Sequence, residues 1–439
     1  MKRYSLFALA TFTTLIHANE ALDILEGRKK AEDVKVAPLP EGEAPLSGAI
    51  GATNAEGKVM KPFVPSTPSE FSVKSHEIFD PYWAKTKLFS DEKNAYVQEV
   101  SLIGLFEANA VWGDVEKTVG TTTTKQNIDD VTLRRAQLGA RMKAFYRTEV
   151  TGVAELAGPS RMNGIQTLKA RTAISDSTGV TIGKFRPLST GENNTPDAAL
   201  LTSERGILSN MIAPADSLGV MFDAKNKDWS YNLGWFSGDF NDMIPGIKGD
   251  GFINAGMAYE KITPTEVGPQ LSSRWYLNYL HNLDRDGSEV LPRPGITALN
   301  YDQVFSTGFS MQQDRFGFHG DFTIARGDKN AWGITLMPTY WIMPGTIQLV
   351  GRYNYADTDK INGVFGGFGN GRDPFFNNGE SPIIQGDEAH SFYLGADVHL
   401  YENHMILRNG FEYSLFRDEL GTGAENESLL WQTGAKISF

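Results

Sequence analysis

The chain has no cysteine in its 439 residues. That excludes disulfides, thiolate metal sites and thiol nucleophiles. Beyond the N-terminus no apolar run approaches the length of a membrane-spanning helix. The seven histidines lack the paired spacing that zinc sites use. There is no glycine-rich loop ending in Lys-Ser/Thr, so Asp387-Glu388-Ala389-His390, which spells a helicase box, is a chance string. Gly366 to Gly371 follows no nucleotide-fold strand and reads as an external loop. Asp357 to Gly363 faintly suggests a calcium loop, but its glycine is misplaced by one position. No nucleophile, base and orienting group fall into a recognisable set. The formal net charge of −12 argues against a nucleic-acid partner. No enzymatic activity and no cofactor are expected.

Glycine (45 residues) and aromatic residues (11%) are plentiful, which fits many strands and turns. Lys2 and Arg3 precede the apolar run Tyr4 to Ile16, which ends at Ile16-His17-Ala18. This is a secretory signal pattern, so residues 1–18 are expected to be removed on export. Residues 19–96 read as an N-terminal periplasmic segment: a short charged helix near Leu22 to Val36, then a Pro-, Gly- and Ser-rich linker, Ala37 to Glu70. Residues 97–439 form the main body. An exported chain without apolar helices enters a membrane as a closed barrel.

From Ser101 the pattern has period two. Leu102, Gly104, Phe106, Ala108, Ala110 and Trp112 alternate with Ser101, Glu107 and Asn109. From Leu133 to Lys143, Ala136, Leu138, Ala140 and Met142 alternate with Arg135, Gln137, Gly139, Arg141 and Lys143. Further strands are expected from Arg147, Ile165, Gly179, Ser217, Trp229, Gly251, Ser273, Gln303, Arg315, Ala331, Gly345, His390, His404 and Ser428. Short turns at Tyr146, Ser175 to Ser177, Lys225 to Asp228, Gln313-Asp314, Met343-Pro344 and Glu402-Asn403 alternate with longer connections. The long ones are Gly113 to Asp130, Pro187 to Asp216, Gly238 to Asp250, Asp284 to Asp302, Asp357 to Ala389 and Asp418 to Glu427. Lys261 to Ser272 is long where a turn is expected, and Gly327 to Asn330 is short. The expected fold is all-β: a transmembrane antiparallel β-barrel of about sixteen strands, with short turns on one side and long loops on the other. The last strand alternates Leu429, Trp431, Thr433, Ala435, Ile437 and Phe439 with Gln432, Gly434, Lys436 and Ser438, ending on a lipid-side aromatic residue.

The third external loop, Pro187 to Asp216, is about thirty residues and far exceeds usual loop lengths. It is expected to fold into the lumen and narrow it. Val131 to Ala157, Val180 to Pro187 (VTIGKFRP), Ser203 to Gly206 (SERG) and Ala213 to Phe222 (APADSLGVMF) occur in an order that resembles the phosphate-selective porin O and P family of Gram-negative outer membranes. The resemblance covers Glu99 to Phe439. It implies a homotrimer of sixteen-stranded barrels in the outer membrane, with lipid around it and small inorganic or organic anions, such as phosphate, as solutes. It also implies that Arg134 and Arg135 match the family's paired arginines, and Lys184 and Arg186 its basic residues before the third loop. The loop departs from a phosphate selector: Glu192, Asp197, Glu204 and Asp216 oppose one basic residue, Arg205.

A charge facing lipid at midplane costs about 2–4 kcal/mol, so Arg135, Arg141, Lys143, Lys169 and Arg171 belong in the lumen. They are expected to form a basic wall opposite the acidic loop, a transverse field favouring small polar solutes, with anions preferred. The plainer reading is that some of them pair with Glu107, Glu149 and Glu155 on adjoining strands. The expected function is passive diffusion of small hydrophilic solutes. An outer-membrane barrel enzyme such as a lipase, or a structural or adhesive barrel with a plugged lumen, are the alternatives.

Overall fold

The computed structural model describes residues 68–157, 164–237, 247, 250–263, 271–283, 301–361, 363–365 and 384–439. The signal pattern, the charged helix near Leu22 and the glycine string at 366–371 lie outside them, as does most of the linker and of the connections 238–250, 264–270 and 284–300. Among the described residues no helix is long and apolar enough to cross a membrane.

The chain enters through helix α1 (Glu70–Trp83) and strand β1 (Lys87–Ser90). Then follow β2 (Val97–Val119), β3 (Thr122–Ala144), β4 (Thr148–Glu155), β5 (Gly164–Ala173), β6 (Thr178–Phe185), β7 (Ser217–Asn226), β8 (Trp229–Phe236) and β9 (Phe252–Thr263). The second half holds β10 (Leu271–Asn282), β11 (Gln303–Gln313), β12 (Phe316–Arg326), β13 (Ala331–Met343), β14 (Ile347–Thr358), the short pair β15 (Val364–Phe365) and β16 (Gln385–Gly386), then β17 (Glu388–Tyr401), β18 (Met405–Asp418) and β19 (Ala424–Ser438). β2 to β14 and β17 to β19 are sixteen strands, each antiparallel to its sequence neighbour in the wall, and β19 pairs back onto β2. The barrel is therefore closed and, along these ladders, has no open edge.

Alternation sets the two faces. Along β14, Gln348, Val350, Arg352, Asn354 and Ala356 point inward and are buried. On outward positions Phe106, Leu138, Ile182, Leu233, Trp275, Phe305, Phe392, Leu394, Phe411 and Leu429 are exposed. An apolar outer band around a mixed interior is what a lipid-facing wall requires. Left-handed residues at Tyr146, Lys227, Asp314, Glu402 and Gly345 form the tight turns of one end, where backbone twist favours such conformations. A Cβ at Gly104 would fall on the ring of Phe439, so the terminal aromatic packs where the first barrel strand has no side chain.

Two expectations change. Gly113 to Asp130 is not a long loop: β2 and β3 run on as a hairpin of 23-residue strands, turning at Gly120 and Thr121. Gly113, the first residue of that expected connection, marks instead a close approach of backbone, since a Cβ there would meet Leu429 O. Val115 and Ile128 keep the inward register along this extension, and the threonine run 121–124 favours strand. The segment before residue 97 also contributes backbone to the wall, because β1 pairs with Glu99 to Ser101 of β2 beside the end of β19.

Helix α1 begins at an N-cap, Ser69 Oγ accepting from Ser72 N at 3.1 Å. It is fastened to the short-turn end. Ser69 N donates to Pro344 O at 2.9 Å, Trp83 Nε1 to Ser438 O at 2.8 Å, and Tyr401 Oη to Asp80 at 2.6 Å. His76 lies between Asp80 (3.0 Å) and Glu402 (3.2 Å). The hydrogen bond to Glu402, with help from Asp80, raises its pKa to about 9 against the cost of burial.

Candidate functional site

The candidate site is built where the chain from Arg186 to Asp216 meets the inner wall. This stretch reads as a structureless loop, but it holds helix α2 (Gly191–Asn194), a 3-10 turn at Asp197–Ala199 and helix α3 (Ile207–Ile212). Thr190 caps α2 by accepting from Asn193 N. Its backbone is bonded to inward side chains from widely separated strands. Asn254 of β9 donates to Leu188 O at 2.7 Å and Asn278 of β10 to Ser189 O at 2.5 Å. Gly191 N donates to Asp321 of β12 at 2.9 Å, and Arg408 of β18 to Leu200 O at 2.7 Å. Lys436 of β19 donates to Ala198 O, and Arg135 of β3 to Ser203 O at 3.1 Å. A segment tied to inward side chains of β3, β9, β10, β12, β18 and β19 lies across the lumen. Gly191 permits the approach, since a Cβ there would fall on His319 and Asp321.

Ion pairs form a layer at mid-barrel. The β2–β3 register shifts after Glu107, leaving Arg134 as an extra residue. Strict alternation would turn one of the paired arginines outward; the bulge aims both inward. Arg134 pairs with Glu204 and Arg135 with Glu107, while Arg135 Nε is 3.6 Å from Asp197. Asp197 is the hub: Arg205 reaches it at 2.6 Å, Arg186 at 3.2 Å and Gln137 at 3.1 Å. Arg186 also reaches Asp216 at 3.3 Å. Across the lumen Arg352 donates to Glu192 (3.2 Å), Thr202 (2.8 Å), Glu204 O (2.6 Å) and Glu412 (3.3 Å). Arg408 holds Asp397 through two 2.9 Å hydrogen bonds.

A second layer lies toward the long-loop end and is apolar. Leu208, Met211 and Ile212 of α3 are 0%, 1% and 0% exposed. They belong to one cluster with Val111, Ile128, Phe185, Phe236, Phe252, Leu280, Val304, Ala356, Phe416 and Leu430, inward residues from around the wall. Nothing in the alternation signals that this loop carries a helix, though the string Ile207-Leu208-Ser209-Asn210-Met211-Ile212 is apolar enough to demand burial.

The picture of a basic wall facing an acidic loop is corrected. Arg135 of that wall does not stand opposite the loop but lies 3.6 Å from Asp197, and Arg134 and Arg186 bond to Glu204 and Asp197, because opposite charges sharing a low-dielectric space are stable only when paired. Nearer the short-turn end, Arg141 and Lys143 lie 3.8 and 3.6 Å from Glu99, and Arg171 pairs with Asp223 at 2.6 Å. Glu149 stands between Lys143 and Arg171 in register, yet both lean to the acids of β2 and β7 instead. Glu155 accepts from backbone, Ala136 N and Ala157 N, each at 2.9 Å. Lys184 is buried, and Lys169 sits in the field of Glu149 and Asp216 without an ion pair to a described residue. Sequence reasoning missed Arg352, Arg408, Lys436, Glu412, Asp397 and Asp321. Their inward parity was the available signal.

No family model matches the chain, and no curated protein matches it. Among solved structures it is similar to the outer membrane channel DcaP of Acinetobacter baumannii, with 12% identity over 80% of this chain and 99% of that one and a TM-score of 0.46. It is similar also to an anion-selective porin from Comamonas acidovorans (13% identity, 77% and 99% covered, TM-score 0.46) and to OccK2 (OpdF) of Pseudomonas aeruginosa in complex with glucuronate (9%, 79% and 100%, 0.38). Likeness at this level carries no argument about function.

Proposed function

We propose that this chain is an outer-membrane porin for passive diffusion of small hydrophilic solutes, with a modest preference for anions. Its short-turn end would face the periplasm and its long-loop end the exterior, and three copies would assemble as a homotrimer. The observation that carries the reading is a closed barrel, apolar outside, whose loop Pro187 to Asp216 is bonded across a lumen lined by guanidinium and carboxylate groups. Anions in such a lumen must compete with Asp197, Glu192 and Glu204 for the arginines, which speaks against tight phosphate binding. Lys169 is the basic group with the least direct competition. The apolar layer around α3 supports a resting channel of small conductance, since hydrophobic constrictions exclude water and ions.

The test is single-channel recording of the purified, folded protein, with reversal potentials in a salt gradient. The reading expects discrete small conductances and a reversal potential displaced toward that of the anion. A clearly cation-selective channel would sink the anion preference. Bilayers that stay silent even after α3 is loosened by Leu208→Ala would favour a plugged structural barrel.

A further inference from the structure

We propose that α1 and β1 together form a closure lock: a strap that engages only after the first and last wall strands have met, and that then slows their separation. The inference rests on the closed barrel alone and holds whether or not the lumen conducts.

The seam of the barrel is the ladder between β19 and β2, which pairs residues 424–438 with 105–119. These strands lie at opposite ends of the wall sequence, whereas every other neighbouring pair is consecutive in the wall. Closing the seam therefore carries the largest loop-closure cost. At the short-turn end β2 outruns β19. Phe439 N donates to Gly104 O at 3.0 Å and Gly104 N to Phe439 O at 2.9 Å, and beyond them β2 continues to Val97. There β1 takes up the same track. Lys87 pairs with Ser101, Phe89 with Val100 and Ser90 with Glu99, in the same antiparallel sense as β19. Asp91 N donates to Gln98 O at 2.9 Å, and Lys87 Nζ lies 3.3 Å from Glu99. The stretch of edge that β19 does not reach is thus partly covered.

The two halves of the strap are bonded to opposite ends of the wall. Among the described residues, every hydrogen bond and ion pair from 69–83 to the wall goes to the stretch 344–438. Those of β1 go to β2. Ser69 Oγ meets Thr346 Oγ1 at 2.5 Å at the start of α1. At its other end Trp83 bonds to Ser438 O at 2.8 Å, with its ring 5.6 Å from His404. Only the 3-10 turn Ala84–Thr86 separates Trp83, on the last strand, from Lys87, on the first. Four chain steps reach at most about 14 Å, under three strand spacings of about 4.8 Å. Both contacts therefore exist together only when β19 and β2 are already side by side. Interactions that form after the closing step slow unfolding without speeding folding.

The experiment refolds the full-length protein from urea into lipid vesicles and follows closing and opening by migration without heating. Trp83→Ala combined with Phe89→Pro removes the bond to Ser438 and breaks the ladder to β2. This variant should fold within about twofold of the wild-type rate and unfold roughly tenfold faster. Amide exchange should rise at 97–105 and 433–439 and stay unchanged along β5 to β9. Because the chain holds no cysteine, Ser69→Cys with Thr346→Cys gives a single cross-link that ties the strap to the wall. Oxidised, this pair should unfold roughly tenfold more slowly than after reduction. The cross-link should lose most of that effect when Trp83→Ala and Phe89→Pro are added, which separates a lock from a general tether. Folding slowed in proportion to the lost stability would mean that the strap forms before closure, and would overturn the proposal. So would failure of Trp83→Ala, Phe89→Pro to fold at all, since a lock that engages last is not needed to close the barrel. Unchanged exchange at the seam, or equal unfolding of the oxidised and reduced cysteine pair, would overturn it as well.

Discussion

The two halves of the infolded loop are held in opposite ways. Residues 192–205 are fixed by charge: Glu192, Asp197, Glu204 and Arg205 each meet a partner whose own side chain is buried or partly buried. Residues 207–212, one turn further on, are fixed by apolar packing with no ion pair at all. The first arrangement specifies position, because a buried charge displaced from its partner is costly. The second is permissive, because apolar surfaces slide and repack at smaller cost. The loop is thus registered by its first half and sealed by its second.

The sharpest way to break the comparison is to remove Arg352. Its loss leaves Glu192 and Glu412 buried without their shared cation, and such one-sided deletions cost about 3–5 kcal/mol. Arg352→Ala should lower the denaturation midpoint, raise conductance and make current noisy as the loop leaves its register. Pairing it with Glu192→Gln should recover a good part of the stability. Unfolding in denaturant and bilayer recording of both variants check this, and a quiet, wild-type-like Arg352→Ala channel would contradict the charge-registered half.

On the apolar side Leu208→Ala should cost about 2–4 kcal/mol locally through lost burial and the cavity left behind. Conductance should rise without the noise expected of Arg352→Ala, because the ionic half still holds the loop. Neutralising Glu192 should give no rescue here. If Glu192→Gln restored Leu208→Ala as well, the two halves would be one unit and the comparison would fail.

A smaller effect separates charge balance from charge placement. Glu192→Gln with Glu204→Gln should free Arg134 and leave Arg352 paired to Glu412 alone, making both more available to anions and shifting the reversal potential toward the anion. Arg135→Gln with Lys169→Gln should shift it the other way. Changes of a few millivolts to a few tens in a salt gradient are the scale on which one or two lumen charges act, about the screening distance of 8 Å from the ion path.

Much of the barrel was legible in the sequence, because a wall with lipid outside must alternate and each strand start follows from that alternation. Where it failed, a different force decided. Gly113 stands where the sequence suggests that a long connection begins, yet here the strand continues and β19 approaches too closely for a Cβ. Arg134 beside Arg135 breaks alternation, and a bulge absorbs the break. The pairs that hold the loop were not legible at all. Arg352 and Glu192 lie 160 positions apart, and a lone arginine on a strand's polar face looks the same whether it meets water or a buried carboxylate. The helix at Ile207 was hidden because a loop that is long and flanked by strands invites the reading of irregular chain.

The smallest predicted effect lies outside the lumen, where α1 meets the short-turn end, and it sets a titratable contact against the apolar ones beside it. His76 touches Asp80 and Glu402, with Tyr401 against its ring at 5.4 Å and His404 next along the turn. Folding raises the His76 pKa from 6.5 to about 9. Its contribution to docking is therefore complete below about pH 6.5 and is lost as pH climbs through about 9. Glu402 shifts the other way, lowered chiefly by its hydrogen bond to His76, so its contribution is present above its ordinary value of 4.5 and is lost on acidification. Docking of α1 should be tightest between about pH 4.5 and 6.5 and loosen toward pH 9. Both side chains are more than a third exposed, which screens the pair and keeps the change small. Trp83 stays in place throughout, packed on Tyr401 at 4.9 Å and bonded to Ser438 O. Hydrogen exchange of the α1 amides should accordingly speed up between pH 7 and 9 beyond its intrinsic rise, and His76→Gln should flatten that excess while Trp83 fluorescence barely moves. An α1 whose protection ignores pH in the wild type would assign the docking to the aromatic contacts alone.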